Sequence, residues 1–266
     1  MKILIAGAAG RLGLRLRGGL EKAHDLVLAD LKPVDDPRFV QVDIMDFPSV
    51  CSAMRGCDAV VHMVIADFPS CAPVDSLRYG VSSLNTQVIG IYNVLRAALE
   101  SGVRRFVYTS SVSAVDGMPC DARVASDTRH YSHSIYGLTK GFGEDLCRMY
   151  HHSFNLSVAV LRLGTIFAPE GGGVWIGNVY YPDMARLPAY DEPTSRVHVD
   201  DVICAIARAV EAAEPDYALT HVVGADSGGL WDLDEGFRLY GWRPRYAFAR
   251  DGQARLAADK DAGWRS

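Results

Sequence analysis

The chain reads as an α/β protein built on a doubly wound parallel sheet, and three observations carry that expectation. Short apolar runs recur along its 266 residues and are continuous rather than alternating in polarity, as in strands covered on both faces. Helical patterns separate these runs, the alternation that a parallel sheet flanked by helices requires. Between the first run and the first helical pattern lies a turn with glycines at positions 7, 10 and 13.

The expected strands are 3–6, 26–29, 39–42, 59–63, 106–109, 158–161 and 221–223, and the expected helices 12–22, 48–55, 84–101, 136–152, 200–213 and 231–240. Within 84–101, Leu84, Val88, Ile91, Leu95 and Ala98 fall on one stripe, the pattern of an amphipathic helix. Gly102 supplies its stop. Two segments interrupt the alternation: 66–83, with Pro69 and Pro73, and 168–197, with a Gly171-Gly172-Gly173 run. Loops of that length in a compact domain commonly form lids or ligand walls. The expected organisation is one domain over 1–250, with 66–83 and 164–199 walling a small-molecule site, and a flexible tail over 251–266.

Composition narrows the function. A net charge of −5, with both signs mixed along the chain, disfavours a nucleic-acid binder, which needs a basic face. The cysteines at 51, 57, 71, 120, 147 and 204 form no CxxC pair and read as reduced thiols of a cytoplasmic protein. Neither they nor the histidines have metal-ligand spacing, so no metal is expected. No apolar run reaches the ~18 residues of a membrane span. At this length roughly three-quarters of the unfolded chain's surface is hidden on folding. A 49% hydrophobic content therefore fills a core without disulfides.

The turn Gly7-Ala8-Ala9-Gly10-Arg11-Leu12-Gly13 follows the first strand at once and opens the first helix. In that context a tight turn lets the backbone approach a pyrophosphate, whose charge rests on the helix N-terminus. Asp30 ends the second strand. A carboxylate there accepts hydrogen bonds from the adenosine ribose and repels a 2′-phosphate, which favours NAD over NADP. Arg11 and Lys32, either within reach of a phosphate, weaken that preference. Asp43 and Ile44 follow the third strand, placed to hold the adenine amine and face, with an ordinary loop the other reading.

Tyr136-Gly137-Leu138-Thr139-Lys140 puts a phenol and an ammonium four residues apart, on one helix face. The pair lies 25 residues beyond Ser111, at the C-terminal end of the fifth strand, where ligands bind in open α/β sheets. A tyrosine of ordinary pKa near 10 is a poor base at neutral pH. Bringing it to ~7 takes about 4 kcal/mol of preference for phenolate, and an ammonium ~5 Å away supplies roughly 3 kcal/mol at an effective dielectric of 20. An oxidised nicotinamide adds charge of the same sign, so Lys140 with bound cofactor suffices for proton transfer. Ser111 is placed to bond the reacting oxygen or to cap a backbone group, and Ser113 competes for the first role.

Together these residues resemble the short-chain dehydrogenase/reductase superfamily in its extended, NAD-dependent epimerase/dehydratase branch. The resemblance spans GxxGxxG at 7–13, Asp30, Ser111, Tyr136/Lys140 and Arg196-Val197-His198-Val199-Asp200-Asp201. Within that branch the order is similar to the uronate dehydrogenases, through Ala29-Asp30-Leu31, Phe142-Gly143-Glu144, Leu230-Trp231-Asp232 and Gly241-Trp242-Arg243-Pro244. The resemblance implies oxidation of a hexuronate to an aldarolactone, with Tyr136 as general base, Lys140 as its activator and cofactor anchor, and Ser111 as orienter. It also implies a cofactor contact at Asn85, where a satisfied helix-face amide is the other reading, a substrate contact at Thr165, and homo-oligomers formed through the 84–101 and 136–152 helices. Two departures stand out. Val112-Ser113 replaces an Asn-His pair, and the arginine that grips a uronate carboxylate has no clear counterpart, leaving Arg186 and Arg196 as its candidates. An NDP-sugar epimerase or dehydratase and a non-catalytic NAD sensor are the alternative functions.

Overall fold

The computed structural model describes residues 1–66, 77–119, 122–187, 195–213, 217–227, 229–248 and 252–257. The chain opens with β1 (Lys2–Ala6), α1 (Arg11–Leu20), β2 (Asp25–Asp30), β3 (Phe39–Gln41), α2 (Phe47–Met54) and β4 (Ala59–His62). A long helical run follows: α3 (Leu77–Leu84), a π-helical turn (Asn85–Gly90) and α4 (Ile91–Glu100). After it come β5 (Arg105–Ser111), α5 (Ile135–Phe154) and β6 (Ser157–Leu163). The remainder holds β7 (Thr165–Glu170), β8 (Gly173–Ile176), β9 (Val179–Tyr181), β10 (Arg196–His198), α6 (Val199–Glu211), β11 (Tyr217–Val222), α7 (Asp234–Tyr240), β12 (Tyr246–Phe248) and β13 (Ala254–Leu256).

Seven strands form one sheet in the order β11-β6-β5-β4-β1-β2-β3, and every pairing in it is parallel. The fold is thus the Rossmann-type α/β architecture. Successive side chains of a strand face opposite ways, and the core divides accordingly. Leu4 and Ala6 pack with α2, α4 and α5, whereas Ile3 and Ile5 pack with Leu16 and Leu20 of α1 and Val202 and Ile206 of α6. Burying each such aliphatic side chain contributes roughly 1.5–3 kcal/mol. The chain runs from β1 outward through β2 and β3, then crosses back to β4 on the other side of β1. That reversal opens a crevice beyond the C-terminal ends of β1 and β4, the ligand position of such sheets.

Two expectations change. The stripe beginning at Leu84 does not hold: Leu84 is 39% exposed, while Ser83, Gln87, Gly90 and Ile91 are buried. The i→i+5 turn at Asn85–Gly90 carries one extra residue per turn, so the buried face rotates there and recovers the expected stripe only from Ile91 onward. The segment 168–197 is not a loop throughout. β10, β7, β8 and β9 form a second sheet, with β7–β8 and β8–β9 antiparallel. Within the expected tail, the described residues Ala254–Leu256 pair antiparallel with Tyr246–Phe248.

Two buried histidines give the fold an acid sensitivity. His62, flanked by the rings of Phe106 and Tyr108, is pushed down to about 3 by burial and then by the Lys140 charge. His221 is lowered to about 4 by burial and by the Arg162 charge. Both are neutral in the folded chain at pH 6, whereas the unfolded chain protonates them near 6.5. Stability therefore falls as pH drops from about 6.5 toward 4, by up to roughly 1.4 kcal/mol per pH unit for each histidine. Thermal melts across that range should show the decline, with a shallower slope in His221→Asn. A flat melting temperature between pH 6.5 and 4 would contradict it.

Candidate active site

The glycine turn is built by close approach. Gly7 takes φ +95°, a conformation that favours glycine, and its amide donates to Ala29 O at 2.9 Å. A Cβ on Gly13 would collide with the Gly7 carbonyl and the Ala8 backbone. Gly10 caps α1 without any side-chain bond, so the first amides of that helix are directed at whatever occupies the crevice. Asp30 ties the turn to β2. Its carboxylate accepts from Ala9 N at 2.9 Å and Lys32 N at 3.0 Å.

Two cavities meet at this turn, and Gly7, Gly10 and Arg11 line both. One, of about 550 Å³, is walled by Asp30, Lys32, Asp43 and Ile44. Asp43 bonds Met45 N at 2.9 Å, and Asn93 holds the Ile44 carbonyl at 2.9 Å. The other, of about 480 Å³, is walled by Leu12, Gly13, Ser111, Ser113, Tyr136, Lys140 and Thr165. The two spaces lie on either side of the glycine turn, as the two halves of a dinucleotide do.

Tyr136 and Lys140 stand on the first turns of α5. Ser134 caps that helix by accepting from Gly137 N at 3.1 Å and itself donates to Asp116. Gly137 abuts the Ser113 carbonyl with no room for a Cβ. The Lys140 ammonium lies 5.9 Å from the Tyr136 ring centroid and donates to Thr109 O at 2.8 Å. It is 2% exposed, and burial lowers it to about 7, with Glu144 one turn further along α5 pulling it back up. The full ammonium charge assumed from sequence is therefore reduced at neutral pH, a consequence of dry surroundings that spacing does not reveal. Ser111 Oγ accepts from Ser113 N at 3.1 Å, so the hydroxyl caps a backbone amide and lines the cavity at once.

Beneath these groups lies a buried ion pair. Glu144 and Arg162, at most 1% exposed, meet at 2.7 and 2.8 Å. Ser110 donates to Glu144 at 2.5 Å, and Arg162 also reaches Thr128 O at 2.8 Å.

Other expected residues fall elsewhere. Asn85 is exposed and lines neither cavity, because the π-helical turn aims Gln87 inward instead. Arg196 is 1% exposed, lies outside both cavity linings and donates to Gly252 O at 3.2 Å, so it anchors the C-terminal segment. Arg186 ends a short 3-10 turn, and its side chain lies outside the described residues. Within the expected wall 66–83, residues 67–76 are likewise outside them, while Ala66 and Ser82 border the cavity of Asp30. Cys71 and Cys120 also fall outside. Among the described residues, no His, Cys, Asp and Glu cluster forms a metal site, and no helix is long and apolar enough to cross a membrane.

Sequence reasoning placed 164–199 at the wall of the site but did not single out the residues that roof it. Trp175, Gly177 and Asn178, at the β8–β9 turn, line the cavity of Tyr136. Arg11 lies 4.0 Å over the Trp175 ring and donates to Asn178 at 3.0 Å. Gly177-Asn178 between two apolar runs was a readable hairpin signal, and Gly177 takes the positive φ of such a turn.

A glycine turn on a helix N-terminus, a carboxylate ending β2 and a Tyr/Lys pair at the sheet's mouth define a dinucleotide-dependent oxidoreductase scaffold. A profile of the NAD dependent epimerase/dehydratase family matches residues 3–223, and the chain belongs to that family, whose cofactor is NAD. Uronate dehydrogenase of Agrobacterium fabrum is 27% identical over 249 residues, covering 92% of this chain and 84% of that one. L-Arabinose 1-dehydrogenase (NAD(P)(+)) of Haloferax volcanii is 27% identical, covering 92% and 96%. The crystal structure of uronate dehydrogenase from Agrobacterium tumefaciens matches with TM-score 0.73 and 28% identity, covering 91% and 84%. A mutant of that enzyme complexed with NAD matches with TM-score 0.72, 27% identity and the same coverage.

Proposed function

We propose that the protein is an NAD-dependent dehydrogenase of a sugar or sugar acid, with a hexuronate, oxidised to its aldarolactone, as the leading substrate. One observation carries the reading: Ser111, Tyr136, Lys140 and the glycine turn line a single cavity. The residues present suit NAD. Unsatisfied amides of α1 face the pyrophosphate position, Asp30 borders the cavity suited to adenosine, and Lys140 sits in the other. NAD, when bound, supplies the hydride acceptor. The chain supplies the proton path. Tyr136 takes the proton of the hydroxyl on the carbon being oxidised, Ser111 donates to that oxygen and orients it, and Lys140 stabilises the phenolate. Of the described arginines, Arg11 and Arg15 line this cavity, so an anionic substrate group has a cation near the roof.

An NAD-reduction screen over hexuronates, aldoses and nucleotide sugars tests this reading. NADH formed in step with sugar consumed is the expected result. Turnover of a nucleotide sugar with retained NAD and no net NADH would move the chain to the epimerase/dehydratase chemistry of its family. Silence across the panel, with NAD bound normally by Tyr136→Phe, would leave a dinucleotide sensor.

We also propose that copies associate through the helical run over 84–101 and through α5. Leu84, Ile89 and Tyr92 in that run and Phe142 and Met149 on α5 are each 36–49% exposed, apolar surface of the kind that marks an association site. Size-exclusion at several concentrations should show a dimer or larger; a monomer throughout would refute the pairing.

A further inference from the structure

We propose that Thr139, held by Gln87 and Ser83, is a positioning residue that sets where Tyr136 stands in the cavity. The three side chains are buried, each at most 2% exposed, and lie where the π-helical turn meets α5. Gln87 Nε2 donates to Ser83 Oγ and to Thr139 Oγ1, both at 2.6 Å. An amide nitrogen only donates, so both hydroxyl oxygens accept there and send their own protons elsewhere. Ser83 Oγ lies 3.2 Å from Thr139 Oγ1, and Thr139 Oγ1 donates to the Tyr136 carbonyl at 2.9 Å. The hydrogen bonds thus run one way, from the π-helical turn into the backbone of Tyr136.

Packing alone does not account for this arrangement. Two helices need only apolar contact to pack, and polar groups in a dry interface carry a desolvation cost. That cost is not fully offset here, since Gln87 Oε1 is buried with no partner among the described residues. A threonine that bonds its own preceding turn bends a helix rather than strengthening it. The π-helical turn, itself a less favourable helix form often found at functional sites, is what brings Gln87 inward. All these departures converge on the first turn of α5, which Ser134 and Asp116 hold from one side and the Ser113 carbonyl from another. Holding a proton acceptor within a fraction of an ångström is what a reacting geometry requires.

The inference rests on Tyr136 being the proton acceptor, so the experiment separates the two. Full-length wild type, Thr139→Val, Thr139→Ser, Ser83→Ala and Tyr136→Phe are loaded with NAD. Turnover is measured with the sugar that the screen identifies, and the Tyr136 phenol is titrated by NMR on ¹³C-ζ-labelled tyrosine, assigned by its loss in Tyr136→Phe. Thr139→Val should lower kcat by roughly ten- to a hundredfold and leave KM nearly unchanged. It should also move the phenol titration upward, with Thr139→Ser restoring both. Ser83→Ala, the milder change, should shift both readouts in the same direction and by less. A Thr139→Val protein with a lowered melting temperature but wild-type kcat and wild-type phenol titration would reduce the network to packing and overturn the proposal. If Thr139→Val does not fold, unchanged readouts in Ser83→Ala overturn it instead. If no sugar turns over, the titration decides alone. Retained turnover in Tyr136→Phe would sink the proton-acceptor reading itself, a separate result.

Discussion

Replacing Tyr136 with phenylalanine is expected to lower kcat by roughly 10²–10⁴-fold, the usual contribution of a positioned acid or base. NAD affinity should survive, because Tyr136→Phe keeps the aromatic ring and leaves the glycine turn, Asp30 and Lys140 in place. The loss should appear in kcat and kcat/KM alike, the signature of a group that acts in the transition state. Isothermal titration with NAD and steady-state NADH formation together provide the check. A variant that binds NAD and turns over at the wild-type rate would remove Tyr136 from the chemistry.

Glu144→Ala should destabilise the fold by roughly 3–5 kcal/mol, because it leaves the Arg162 guanidinium charged in a dry interior. Arg162 is 0% exposed, so water does not take the carboxylate's place. The double variant Glu144→Leu/Arg162→Met should recover most of the loss, since two apolar side chains carry no unmatched charge. Urea unfolding midpoints at constant m-value test both. A loss below about 1 kcal/mol in the single variant would put the pair in the weak class typical of exposed ion pairs. Glu144 also raises Lys140, so its removal should reduce the charged fraction of Lys140 at neutral pH. For that reason Glu144→Ala should lose activity beyond the fraction unfolded.

The main sheet was readable because each signal is local. A strand buried on both faces must be apolar throughout, and all seven expected runs coincide with strands of the sheet. The places of Gly7, Asp30, Ser111, Tyr136 and Lys140 in the fold were legible for a related reason: each lies at the end of a strand or the start of a helix, which sequence position specifies. Asn85, which the resemblance offered as a cofactor contact and the helical pattern as a helix-face amide, is exposed because one π-helical turn exchanges an outward residue for an inward one, a rotation no regular helical period shows. Arg196, a candidate carboxylate grip or a structural arginine by sequence, donates to Gly252 O, 56 residues onward, a partner that only the closed chain brings to it.

What the sequence determined by itself was the parallel sheet, its crevice and the residues at the strand ends, since apolar periodicity and turn chemistry act over a few neighbouring positions. Only the tertiary structure decided the roof of Trp175 and Asn178, the lowered Lys140 ammonium, and the path from Gln87 through Thr139 to Tyr136. Those depend on burial and on hydrogen bonds between residues far apart in the chain, and a side chain's dielectric surroundings and partners exist only once the chain has closed around it.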